Sequence, residues 1–225
     1  MGTKKSKVLI FDLDDTLYPE IDFFNEGLQS VAEFIETKYE LPKDEVLIDL
    51  QKLYTAHGRN FLFNTWTDNN RLPKRLIREM VSVYRQHPIK LSIPDDNLAA
   101  ISNFAGNKYL VTDGNKIVQK NKINSFGLSK ILKKCFITNQ YGIQFQKPSL
   151  YCFDLIRQRE NVDWSDLVYV GDNPSKDFVS LNSVGAITVH SKQYSDKTFF
   201  ENKNHRAKFE ITDLSQLRNV LHSTP

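Results

Sequence analysis

Short apolar runs and amphipathic segments alternate over most of the chain. Runs of apolar residues bounded by turn-forming residues are typical of buried strands. They predict strands at residues 8–12, 108–112, 135–138, 167–171 and 186–190. Helical spacing of apolar residues predicts helices at residues 95–104, 115–125, 149–160 and 175–182, and a weak strand near 208–211 leads to a helix at 214–221. This alternation predicts an α/β fold, a three-layer Rossmann-like parallel sheet covered by helices on both faces.

One stretch interrupts the alternation with helical patterns alone. Residues 23–39, 44–57 and 74–86 carry apolar side chains at helical spacing, and proline and glycine separate them. The stretch follows the first strand directly. We therefore predict a core domain of residues 1–17 and 95–225 and a smaller inserted α-helical domain of residues 18–94.

Composition and charge narrow the class of protein. The 225 residues include 30 basic and 27 acidic side chains, a formal net charge of +3. That balance argues against a nucleic acid polymer as a partner, and no apolar run approaches the length of a membrane span. Since no apolar signal segment precedes the first strand, we expect Cys135 and Cys152 to be reduced thiols in a cytoplasmic protein. Residues 1–6, MGTKKS, fit the pattern for myristoylation of Gly2, but a short solubilising lead is the preferred interpretation.

Two carboxylates lie at the end of the first strand. Residues 8–16 read VLIFDLDDT, so the apolar run ends at Asp12 and Asp14 follows two residues later. Side chains two residues apart in an extended segment face the same way. Both are therefore directed at the carboxyl end of the sheet, where open α/β sheets bind ligands. Their mutual repulsion calls for a cation or a shared proton.

Polar residues also follow the second predicted strand. Thr112 closes that strand, and Asp113, Gly114 and Asn115 come next. A hydroxyl group beside the backbone N–H groups of a turn suits an oxyanion such as phosphate. Thr, Asp and Asn are also good helix caps, and taken alone the cap is the preferred interpretation.

A lysine and two more carboxylates complete the candidates. Pro148 holds Lys147 extended and can open the next helix, so the ammonium group could face a site between strands, although an ordinary surface lysine is favoured in isolation. Asp172 follows the fourth predicted strand, and Asp177 falls in the first turn of the helix predicted next. Alone, these are a turn residue and a helix-dipole partner. Together with Asp12 and Asp14 they could surround a divalent cation, and oxygen ligands without His or Cys point to Mg²⁺.

These motifs, in this order, resemble those of the haloacid dehalogenase-like (HAD) hydrolase superfamily. The resemblance rests on the DLDDT segment at 12–16, Thr112, Lys147, and Gly171-Asp172 with Asp177, each at the end of a predicted strand or close to one. The inserted helices resemble the mobile cap that this family places between its first two motifs. The resemblance thus implies a HAD core with a helical cap, of the phosphatase branch.

The resemblance also implies a role for each motif residue. Asp12 would attack phosphorus and form an aspartyl-phosphate, and Asp14 would act as general acid and base. Asp12, the backbone carbonyl of Asp14 and Asp172 would hold Mg²⁺. Thr112, Lys147 and the N–H groups from Asp113 onward would bind the substrate phosphate. Thr16 and Asp177 would support the site.

The expected activity is Mg²⁺-dependent hydrolysis of a small phosphorylated metabolite, such as a nucleoside monophosphate or a sugar phosphate. A phosphomutase with the same phospho-aspartate is the alternative. A dehalogenase, which needs neither Mg²⁺ nor Asp14, and a non-catalytic binding protein are less favoured. Tyr18-Pro19 is the expected hinge of the cap. Candidate leaving-group contacts, for each of which ordinary packing or solvation is the favoured interpretation, are Phe23, Phe24, Arg59, Trp66, Arg71 and Lys74.

Overall fold

The computed structural model describes residues 7–199 and 201–223, so the myristoylation pattern lies outside the described residues. The described residues form two compact units. One comprises those of Met1–Glu20 and Leu91–Pro225, and the other comprises Ile21–Lys90. None of the described helices combines the length and apolar composition that a bilayer crossing would require.

The first unit is built on a six-stranded sheet in the order β3-β2-β1-β4-β5-β6. All five strand pairs are parallel, which confirms the predicted α/β class. The strands are β1 Val8–Phe11, β2 Lys108–Thr112, β3 Lys134–Ile137, β4 Leu167–Gly171, β5 Ile187–Ser191 and β6 Phe209–Ile211.

The strand order places the candidate residues together at the carboxyl ends of neighbouring strands. β1 lies between β2 and β4, with Phe11 paired to Leu110 on one side and to Val170 on the other. Every residue of β1 is buried, as its uninterrupted apolar run predicts. The chain leaves β1 toward β2 and later returns to β4 on the other side, and such a reversal opens a ligand crevice at the carboxyl ends of the strands.

Helices cover this sheet, and their boundaries differ from the predicted ones by a few residues. They are α5 Asp95–Ser102, α6 Lys116–Ser125, α7 Tyr151–Glu160, α8 Val179–Ser183 and α9 Leu217–Ser223. The largest error concerns α8, which we predicted to begin at Ser175. The chain forms turns before Val179. The N–H of Asn173 donates to the Asp177 carboxylate, and the N–H of Asp177 donates to the Asn173 carbonyl, so these two residues stabilise a turn there.

The second unit is helical. Its helices are α1 Glu20–Tyr39, α2 Lys43–His57, α3 Leu62–Asn69 and α4 Arg75–Gln86, with only the first residue of α1 assigned to the other unit. The sequence analysis missed α3, which is only eight residues long. Gly27 allows α1 and α4 to approach closely, since a Cβ atom there would lie 2.5 Å from the ring of Tyr84.

The interior of the helical unit is apolar. Buried residues of all four helices form one cluster that includes Leu28, Leu50, Trp66 and Met80. Phe23, Phe24 and Trp66 are buried, which agrees with the packing interpretation of these three aromatic residues. Arg59, Arg71 and Lys74 are exposed, and the Arg59 guanidinium lies 4.4 Å from the Phe24 ring centroid.

Candidate active site

Asp12 directly follows β1, and hydrogen bonds hold both its backbone and its carboxylate. Its backbone N–H donates to the carbonyl of Val170 at 2.9 Å, which continues the pairing of β1 with β4. Its carboxylate oxygens accept from the N–H of Leu13 at 2.8 Å and from Lys147 Nζ at 2.7 Å. Asp12 is only 4% exposed, so the carboxylate has a single defined orientation at the end of the strand.

Three carboxylates meet at this point. Asp12, Asp172 and Asp177 each offer an oxygen, and these oxygens lie within 4.8 Å of one another. Burial raises the pKa of Asp12 to about 7, with Lys147 opposing the rise and Asp177 adding to it. Burial and the charge of Asp177 also raise the pKa of Asp172. These raised pKa values indicate that the ionised forms of the clustered carboxylates are poorly stabilised, and a bound cation would stabilise them.

Lys147 is buried, so its interpretation as a surface lysine does not hold. Its ammonium group lies 2.8 Å from Asp177 Oδ1 and donates to the hydroxyl of Tyr169 at 2.9 Å, in addition to Asp12. Burial alone would lower the pKa of Lys147, but Asp12 and Asp177 raise it well above its usual value. The following Pro148 lies in a turn and does not open α7.

Asp177 precedes α8 and is not in its first turn, which corrects the predicted position. It accepts hydrogen bonds from Tyr169 at 3.2 Å and from the N–H of Asn173 at 2.9 Å. Gly171 makes room for it, because a Cβ atom at that position would lie 2.5 Å from Asp177 Oδ2. Asp177 thus orients Lys147 from behind the cluster and also contributes to it.

Thr112 and Asp113 lie at the end of β2, but neither caps α6. That cap is Asn115, which accepts from the N–H groups of Ile117 and Val118. Thr112 Oγ1 accepts a hydrogen bond from Gln119 at 2.8 Å.

The carboxylate of Asp113 binds other residues of the site. It accepts from Thr138 Oγ1 at 2.6 Å and from the N–H of Lys147 at 3.1 Å, and it pairs with Lys176 at 3.1 Å. Although burial opposes the effect, Lys147 and Lys176 lower the pKa of Asp113. An anionic side chain does not bind phosphate, so a substrate contact at this position would come from its backbone N–H.

Asp14 is not one of the three clustered carboxylates. Its oxygens accept hydrogen bonds from Tyr18, Lys122 and Gln119. Burial opposes ionisation here, but Lys122 and these hydrogen bonds lower the pKa of Asp14. The side chain of Asp14 is therefore held by these three donors, and ligation of the ion by its backbone carbonyl stays a prediction.

Asp15 and Thr16, the remaining polar residues of the first motif, differ in their surroundings. Asp15 adopts a positive φ of 54°, its Oδ1 accepts from the N–H of Glu20, and its Oδ2 pairs with Lys197 at 3.1 Å. Lys197 also lies 2.5 Å from Asp172 Oδ2. The Thr16 hydroxyl is buried and has no hydrogen-bond partner among the described residues, so no side-chain hydrogen bond connects it to Asp14.

Sequence analysis missed several groups in this site. It did not identify Gln119, Lys122, Thr138, Tyr169 and Lys176, and it assigned Tyr18 only to a hinge. One signal was available for the first two: they are polar residues three positions apart on a helical face that also presents the buried Ile123. A polar residue on a buried helical face needs a partner, and here the partner is Asp14.

The donor set fits Mg²⁺. The clustered groups are carboxylates, with no His or Cys among them, and hard oxygen ligands suit this ion. The raised pKa values of Asp12 and Asp172 point the same way, because a cation favours the ionised form of a carboxylate. Asp12 and Asp172, the two predicted side-chain ligands, are both in the cluster, and Asp177 joins them.

The chain is similar to known phosphatases. The chain is 27% identical to a glyceraldehyde 3-phosphate phosphatase of Methanopyrus kandleri over 203 residues, which cover 83% of this chain and 84% of that protein. It is also 27% identical to a glyceraldehyde 3-phosphate phosphatase of Pyrococcus furiosus over 229 residues, which cover 97% and 94% of the two chains.

The fold is similar to that of a solved HAD hydrolase. The magnesium-bound structure of YfnB from Bacillus subtilis superposes with a TM-score of 0.67 at 19% identity, covering 97% of this chain and 99% of that one. The family model described as haloacid dehalogenase-like hydrolase matches residues 9–190. This match and the curated phosphatase relatives confirm the predicted superfamily and the predicted enzyme class, a hydrolase of the phosphatase type. The chain therefore belongs to the haloacid dehalogenase-like hydrolase family.

Proposed function

We propose that this protein is a Mg²⁺-dependent phosphomonoester hydrolase that acts on a small sugar phosphate through an aspartyl-phosphate. The observation that carries the proposal is the buried Asp12 carboxylate, held 2.7 Å from Lys147 and next to Asp172 and Asp177. The relatives that act on glyceraldehyde 3-phosphate favour a phosphorylated triose as the first substrate to test.

In the first half-reaction, a carboxylate oxygen of Asp12 forms a bond to phosphorus while the bond from phosphorus to the ester oxygen breaks. Asp14 gives its proton to that oxygen, which leaves as an alcohol. Lys147 keeps Asp12 in place and offsets part of the charge that gathers at the phosphoryl group.

In the second half-reaction, Asp14 takes a proton from water as the water attacks the aspartyl-phosphate. The products are inorganic phosphate and the regenerated carboxylate of Asp12. Thr112 and the N–H groups that follow it are expected to hold the phosphoryl oxygens during both steps.

Asp12, Asp172 and the backbone carbonyl of Asp14 would hold the metal ion. When bound, Mg²⁺ would supply the positive charge that lets an anionic carboxylate approach a phosphate dianion. We propose that the helical unit Ile21–Lys90 is the cap that excludes bulk water. Its exposed cations Arg59, Arg71 and Lys74 are candidates for contacts to the leaving group.

A substrate panel with metal control tests this proposal. We expect purified protein with Mg²⁺ to release phosphate from glyceraldehyde 3-phosphate and p-nitrophenyl phosphate, and EDTA to abolish the release until Mg²⁺ is restored. Nucleoside monophosphates and other sugar phosphates in the panel define the substrate class. Unchanged activity in EDTA would contradict the metal site.

Two further readouts address the alternatives. A phosphomutase would transfer the phosphoryl group between positions of a phosphosugar and release little free phosphate. No turnover of any phosphate ester, with the fold intact by circular dichroism, would favour a binding protein.

A further inference from the structure

Three side chains donate hydrogen bonds to the carboxylate of Asp14. Tyr18 Oη lies 2.7 Å and Lys122 Nζ 2.8 Å from Oδ1, and Gln119 Nε2 lies 2.9 Å from Oδ2. A general acid must present the oxygen that carries the proton to its partner at hydrogen-bond distance. The groups that fix Asp14 therefore bear directly on the proposed chemistry.

Gln119 and Lys122 come from one face of α6. Each is only 2% exposed, whereas 27% of the Asp14 side chain is accessible. Burial of an ammonium group and an amide costs free energy unless both are paired. Here the helix directs both groups at one carboxylate and leaves that carboxylate reachable from outside.

The two oxygens of Asp14 are not equivalent. Oδ1 accepts from both Tyr18 and Lys122, which occupies the two lone pairs of a carboxylate oxygen. Within the described part of the chain, Oδ2 accepts one hydrogen bond, from Gln119. One lone pair of Oδ2 is thus left to carry a proton.

Gln119 also connects Oδ2 to the proposed phosphate site. The same Nε2 atom lies 2.8 Å from Thr112 Oγ1 and 2.8 Å from the backbone carbonyl of Asp113. Its side chain packs where Gly114, at a φ of 129°, leaves space, since a Cβ atom there would lie 3.3 Å from Gln119 Cγ. The oxygen free to carry the proton is therefore on the side of the hydroxyl assigned to the phosphoryl group.

We propose that Lys122 and Gln119 are positioning residues that direct Oδ2 of Asp14 toward the leaving oxygen of the substrate. This inference rests on the proposed phosphatase function. In the first half-reaction, the proton carried by Oδ2 passes to the departing oxygen. The carboxylate form of Asp14, which its three donors stabilise, then removes a proton from the attacking water with the same oxygen. Without Lys122, Oδ1 keeps only Tyr18, and the carboxylate can turn away from the reacting atoms.

Leaving-group dependence tests the proposal in the variant Lys122→Met. The alcohol of glyceraldehyde 3-phosphate needs a proton to leave, whereas p-nitrophenolate does not. Since kcat/KM covers only steps up to the departure of the leaving group, we expect kcat/KM to fall about 100-fold for glyceraldehyde 3-phosphate and less than about threefold for p-nitrophenyl phosphate. The second half-reaction also slows, so p-nitrophenol should appear as a burst equal to the enzyme concentration.

Lys120→Met is the matched control, because Lys120 is on the same helix but exposed, and we expect wild-type kinetics from it. If Lys122→Met does not fold, as judged by thermal unfolding, Gln119→Met provides the same test with an uncharged side chain. Equal losses for both substrates, or no loss, would overturn the positioning role. A wild-type protein inactive on both esters with Mg²⁺ would instead refute the proposed function.

Discussion

The interiors of the two units differ in what they bury. The helical unit packs apolar side chains such as Leu28, Leu50 and Met80 against one another. At the carboxyl ends of β1, β2 and β4, the α/β unit buries charged groups, among them Asp12, Lys147 and Asp177. Apolar burial favours folding directly, whereas buried charges lose their hydration and recover that cost only when they are well paired.

The difference teaches where to look for function in this chain. A carboxylate cluster around Asp12 whose ionised forms are poorly stabilised does not improve stability. Such a cluster on a well-packed parallel sheet lowers stability locally. Features that lower stability in this way are expected at functional sites, so the cluster marks the place to look for chemistry. The following predictions test whether the two interiors do respond differently.

The largest effect is expected for Asp12→Asn. The amide is isosteric but cannot attack phosphorus, so activity on p-nitrophenyl phosphate should fall more than about 10³-fold. Because the change removes one of three clustered carboxylates while Lys147 keeps Asp177, the free energy of unfolding should change by less than about 1 kcal/mol. Steady-state kinetics and urea unfolding measure the two quantities, and a normal turnover rate would refute the assignment of the nucleophile.

Lys147→Met should give the largest loss of stability. It leaves Asp12 and Asp177 buried without their ammonium partner, which typically costs about 3–5 kcal/mol. Lys52→Met is the control, because this lysine lies 3.7 Å from Asp49 and both side chains are more than half exposed, so its loss should cost less than about 1 kcal/mol. Urea unfolding in EDTA compares them, and equal losses would contradict the distinction between buried and exposed pairs.

In the helical unit, Leu28→Ala should destabilise through packing alone. Leu28 is fully buried in the apolar cluster, and the cavity left by such a truncation costs about 3 kcal/mol. Ile48→Ala removes a similar side chain that is 48% exposed, so its effect should stay below about 1 kcal/mol. If chemical denaturation shows both variants to be equally stable, the described packing of α1 is wrong.

The smallest effect concerns the two thiols of the α/β unit, of which Cys152 is buried and Cys135 is half-buried. Burial raises the pKa of Cys135 and of Cys152 to about 11, so at pH 8 only about one thiol in a thousand is ionised. Alkylation by iodoacetamide should be slow in the native protein, rise with pH toward 11 and become fast in urea. Fast alkylation at pH 8 would show that these side chains are accessible.

The sequence alone determined most of the sheet and the principal site residues. Buried strands such as β1 and β4 have uninterrupted apolar runs, and the end of each run marks where Asp12 and Asp172 must lie. Both signals are local, because they depend on side-chain periodicity and on the position of a polar residue after an apolar run. Helix α3 and the start of α8 were missed, since short helices and turns depend more on tertiary contacts than on periodicity.

Only the tertiary structure decided what surrounds Asp14 and how Lys147 is used. Gln119 and Lys122 reach Asp14 across 105 and 108 positions in the chain, and Lys147 reaches Asp12 across 135. No periodicity within one segment encodes such a contact, because it depends on which strands become neighbours and how a helix rotates onto the sheet. The sequence could therefore show that charges would meet at the strand ends, but the packing of α6 and of the turn before α7 determined which charges bind which.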